Sequence, residues 1–82
     1  METPWEVVGW VETVSEKGTK GCRLFLEQDM ILPAGATGQG KMTKRVWYNM
    51  DDVPYPAQIG HKVIVIPDDR NENIARRIIV VG

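Results

Sequence analysis

Lys44-Arg45-Val46-Trp47-Tyr48-Asn49-Met50 decides how the chain is read. In a strand, successive side chains point to opposite faces. Val46, Tyr48 and Met50 then share one face with Lys44, while Arg45, Trp47 and Asn49 share the other. The first set suits a core. The second puts a cation, a large flat ring and an amide side by side in solvent. We read the stretch as a central strand with Trp47 turned outward. A one-residue slip would reverse this, burying Trp47 and Phe25 and exposing Tyr48.

Upstream, residues 5–14 are rich in β-branched and aromatic side chains, which favours a strand. Both of its faces are partly apolar, and Gly9 marks a bulge or sharp bend within it. Residues 15–21 form a polar loop with two glycines, a hairpin connection. Residues 22–27 return as a strand with Cys22, Leu24 and Leu26 inward and Arg23, Phe25 and Glu27 outward. A long glycine-rich loop at 33–41 follows, expected to be mobile. Downstream, Pro54 and Pro56 keep residues 51–56 from regular structure. Residues 61–66 and 74–81 are the last two strands, joined by a polar turn; the second has an apolar end suited to burial on both faces.

Five short strands without a helix predict one all-β domain over residues 1–82. A flat sheet would leave apolar faces bare; curling into a small barrel covers them and removes the edges. An OB-like five-stranded barrel fits the long, bending first strand and the gap before the fourth; an SH3-like barrel is the alternative.

An 82-residue chain buries only about 60–65% of its unfolded surface, so self-association would help its stability, and a homodimer is expected. Cys22 is the single cysteine, which excludes an intramolecular disulfide. Met1-Glu2-Thr3-Pro4 is acidic and opens no apolar run, so no signal peptide is expected. No stretch reaches the roughly 18 apolar residues of a membrane span. A cytoplasmic protein without a membrane partner is expected. The net charge is −1, yet residues 17–50 carry six bases and two acids, a net of +4, and the rest carries four bases and nine acids, a net of −5. Local potential, rather than total charge, decides what a face attracts.

Catalysis is not expected. His61 is the only histidine, and no clustered ligands approach the four that a zinc site needs. Asp51-Asp52 and Asp68-Asp69 sit in turns, where Asp bonds to its own backbone. Gly35 to Lys41 has Walker-like spacing, but Met42 stands where Ser or Thr is required, and the following residues look extended. No cofactor, metal or small-molecule substrate is expected.

Binding is the better expectation. Single-stranded nucleic acid is held by aromatic platforms in basic grooves. The predicted outer face carries Arg23, Phe25, Arg45 and Trp47, with Lys41 and Lys44 at its edge and Lys17 and Lys20 in the first hairpin loop. Little sequence preference is expected of such a site. An aromatic patch rimmed by arginines also describes a protein interface, so an interaction or scaffold module without nucleic acid is the second possibility.

Residues 6–29, with 59–66 and 73–81, resemble small proteins encoded on phages and conjugative elements of Gram-positive bacteria. In those, a strand like Val7-Val8-Gly9-Trp10, a Lys/Gly loop and a terminal β-hairpin recur. The resemblance implies similarity to compact single-stranded-DNA-binding OB proteins of mobile elements. It carries no binding residue across individually, and residues 31–40 have no counterpart in it.

Overall fold

A computed structural model describes residues 3–82. The leader expectation for Met1 and Glu2 lies outside the described residues. Five strands form one antiparallel sheet: β1 (Trp5–Val14), β2 (Lys20–Met30), β3 (Gly40–Asn49), β4 (Lys62–Pro67) and β5 (Ala75–Val80). Their order is β3-β2-β1-β4-β5, and no helix occurs among the described residues. The all-β expectation holds.

The sheet does not close. β3 meets Ile74, the residue just before β5, at one parallel bridge to Trp47, where the Trp47 N–H donates to the Asn73 carbonyl at 2.8 Å. β3 is therefore an edge of the sheet rather than the expected central strand, and β1 lies in the middle of the order. β3 also starts earlier than predicted. Its ladder with β2 runs from Met30–Gly40 to Gly21–Asn49, so Gly40 and Lys41 belong to the strand and the connecting loop is 31–39. Within that loop Pro33 to Ala36 close a turn, with Gly35 at φ +88° where a side chain would be strained.

The β1–β2 hairpin turns over Ser15–Thr19. The Ser15 N–H donates to the Thr19 carbonyl, and the Gly18 N–H to the Ser15 carbonyl. Gly18 supplies the left-handed residue this short loop needs, at φ +82°. The register then shifts once, between Val7 and Gly9. This is the bulge foreshadowed by Gly9, and it rotates the alternation of β1 between its two halves.

The core is built from Val7, Leu24, Leu26, Val46, Tyr48, Val63 and Val65, joined by Cys22 and Ala75. The predicted inward sets of the second and third strands are thus the buried ones. Truncating a fully enclosed side chain such as Leu24 costs about 2–5 kcal/mol, a large share of a small domain's stability. Residues 50–61 cap this core without regular structure. Val53 and Tyr55 are buried, the Tyr48 hydroxyl donates to the Tyr55 carbonyl at 2.8 Å, and the Tyr55 hydroxyl lies 2.7 Å from His61 Nδ1. The end of β5 departs from expectation. Ile78 and Ile79 are half-buried and Val80 is exposed, because only one of its faces meets the core.

Candidate nucleic-acid interface

Alternation and register assemble the outer face of β1, β2 and β3 into rows. Thr13, Gly21 and Asn49 stand in one, Val11, Arg23 and Trp47 in the next, and Gly9, Phe25 and Arg45 in a third. Trp47 is half-buried and outside the core. Its indole leans across β2 and lies on the backbone of Gly21. A Cβ at that position would fall 2.2 Å from the ring's Cε2 and Cζ2 atoms. The indole N–H then reaches Thr13 Oγ1 on β1, at 2.9 Å. Phe25, directly opposite Gly9, touches it at ordinary van der Waals range, its Cδ2 atom 3.5 Å from where Gly9 would carry a Cβ. Each ring thus stands against a glycine of the neighbouring strand, Trp47 far more closely than Phe25.

Arg23 and Arg45 are exposed beside these rings, and among the described residues neither is paired with a carboxylate. With Trp47 they line an open groove of about 830 Å³, whose far wall is the β4–β5 loop through Asn71, Asn73 and Ile74. The Trp47–Asn73 backbone bond fixes that loop against β3.

The lysines are spread more widely. Lys17 is exposed in the first hairpin loop, whereas Lys20, expected in that loop, is exposed at the start of β2. Lys41 is exposed but sits 3.4 Å from Asp29. Lys44 follows the parity of Val46, and its ammonium lies 5.6 Å from the centre of the Trp5 ring. It also borders the groove. Among the described residues three acids share the face: Glu27, opposite Glu6 and Thr43, Glu6 itself, and Asp29, opposite Lys41. Glu6 is neutralised at 2.8 Å by Lys62, whose hydrogen bond and charge hold its carboxyl below the usual range.

Thr13, Asn71 and Asn73 were not legible as site residues. Thr13 enters through register, and the two asparagines through a loop whose position depends on β3. Gly21 meets Trp47 only diagonally, and it was expected in the hairpin loop rather than, as found, inside β2. The remaining polar candidates have local partners. The Asp68 carboxylate accepts the Arg70 N–H at 2.9 Å, and Asp69 pairs with Arg76 at 3.5 Å. Among the described residues no group of three His, Cys, Asp or Glu could hold a metal ion. No described helix is long and apolar enough to cross a membrane. No family model, curated protein or solved structure matches the chain.

Proposed function

We propose that the protein is a non-catalytic module that binds single-stranded DNA, with little sequence preference, on the outer face of β1, β2 and β3. One observation supports this: on one face the Trp47 indole lies against Gly21 and Phe25 against Gly9, flanked by the guanidinium groups of Arg23 and Arg45, which meet no carboxylate among the described residues. Flat rings offer stacking surfaces, and unpaired cations attract phosphates.

We take the architecture as a partly open OB-like barrel. The strand order, with the parallel Trp47–Ile74 bridge, supports it over the SH3-like alternative. In OB folds the face of strands two and three, with the loop between strands four and five, receives oligonucleotides. The groove here has those walls. We also take the setting to be a phage or conjugative element in a cytoplasm, on the resemblance of residues 6–29, and the working form to be a homodimer.

The test is a titration with oligo-dT followed by tryptophan fluorescence. Quenching is expected at low salt, with affinity falling steeply as salt rises. Absence of quenching at low salt would end the proposal. A protein-interaction module is the second reading, favoured by the exposed Val11 beside the same rings. Partner binding that persists at high salt would select it.

A further inference from the structure

We propose that β1 pairs with β1 of a second copy along its free edge, antiparallel and centred on Val11. The pairing makes one continuous six-stranded sheet that sets two platforms side by side. This deepens the homodimer reading and does not depend on nucleic-acid binding.

Backbone hydrogen bonds mark where the free edge begins. β4 pairs with β1 only at Trp5 and Glu6. Val7 completes that end, its N–H donating to the His61 carbonyl and its carbonyl accepting the Gly60 N–H. From Val8 to Val14 no backbone hydrogen bond leaves the strand on the side away from β2, among the described residues. The Ser15-to-Thr19 bond fixes the phase of the hairpin, because bonded and non-bonded pairs alternate in an antiparallel ladder. Thr13, Val11 and Gly9 direct their peptide groups to β2; Trp10, Glu12 and Val14 direct theirs outward. Exposed, unpaired edges invite another strand. This one displays Trp10 at 43% and Val14 at 70% exposure, with no lysine and no proline to deter pairing.

The register follows from symmetry and charge. Outward-directed residues must face outward-directed ones, so the two-fold axis passes through a residue of the stretch, and only at Trp10, Val11 or Glu12 does it pair more than three of the residues from Val8 to Val14. An axis at Glu12 would set two carboxylates directly opposite, which is unfavourable. One at Trp10 would place Thr13 and Val14 against Val7 and Glu6, which β4 and its entry already occupy. The axis at Val11 pairs the whole free stretch with itself: Val8 with Val14, Gly9 with Thr13, and Trp10 with Glu12. No like charges stand directly opposite; the two Glu12 side chains are only diagonal neighbours. Residues opposite each other share a face, so Val11 and its counterpart bring the two Arg23–Trp47 rows onto one surface. A second copy is thus the occupant this edge fits.

The full chain, free of nucleic acid, is expected to sediment at about twice its 9.3 kDa monomer mass. A Val11→Cys variant should oxidise to a covalent dimer, since non-bonded antiparallel partners sit about 4.5 Å apart at Cα, within disulfide reach. Thr13→Cys should not, because Thr13 faces Gly9. Cys22 is buried and does not compete. Glu12→Pro removes an outward N–H and should yield monomer with β-sheet circular dichroism retained. Monomer mass at tens of micromolar, or cross-linking of Val11→Cys no better than Thr13→Cys, overturns the proposal. So does a folded Glu12→Pro variant that stays dimeric. If Glu12→Pro fails to fold, the cysteine pair decides alone. The oligo-dT titration is read separately, so failure of the DNA proposal leaves this result intact.

Discussion

Gly21 and Trp47 occupy one small volume, and that makes residue 21 the sharpest lever on the face. A methyl group there would fall 2.2 Å from ring atoms, so Gly21→Ala must lift the indole off the sheet. The expected outcome is altered tryptophan emission and weaker oligo-dT binding in a protein that keeps its β circular dichroism. Trp47→Ala removes the ring itself. At about 1–3 kcal/mol per stacked base, binding should fall about 5- to 150-fold in the same titration. Tyr48→Phe probes a different place, the cap on the core. It leaves the Tyr55 carbonyl without its buried donor and should cost about 1–3 kcal/mol in urea unfolding. These side chains were legible one by one. Tyr48 beside Trp47 forces a choice of face, and the inward set of Val46 and Tyr48 decides it. The partner of each ring was not legible, since Thr13 and Gly21 meet Trp47 only through strand pairing.

At the scale of elements, alternation located the strands better than it located their ends. Residues 5–14 were placed as they stand, because the Ser15–Thr19 turn stops them chemically. The β2–β3 hairpin was underestimated at its loop end. Met30, Lys41 and Met42 extend the ladder beyond the core, where no burial pattern announces a strand. Ile31, 96% exposed, leaves the ladder entirely. We expect amides of 34–39 to exchange rapidly and those of Leu24 and Val46 slowly. Uniform protection across the loop, measured by hydrogen exchange, would contradict this. The two asparagines of the β4–β5 loop escaped prediction for a related reason. They read as a polar turn, and only the bond from Trp47 to Asn73 turns that loop into a wall of the groove.

For the whole molecule, segregated charge and buried phenols set the response to solution conditions. If Arg45 meets a phosphate, Arg45→Ala should flatten the slope of log affinity against log salt by about 0.7. Burial pushes the phenols of Tyr48 and Tyr55 above their ordinary value of 10.0. Stability is then fully present below the ordinary phenol value and is lost as pH rises from there through the raised folded value, because the unfolded chain ionises first. Thermal melts should therefore decline above about pH 10, and less so in Tyr48→Phe. The open sheet was the part of the architecture least visible in advance. A single bridge replaces a ladder between β3 and β5, and bridges leave no periodic trace in sequence.

The hydrogen bond from the Trp47 indole to Thr13 carries one more consequence. An indole has a single donor, and here it is already engaged. On the proposed function, a nucleobase would meet only the ring's surface, on which every base can stack with modest preference. Indifference to the letters of a strand would then originate in a threonine two strands away. Thr13→Val should free that donor, and the difference in affinity between oligo-dT and oligo-dA should change from its value in the parent chain.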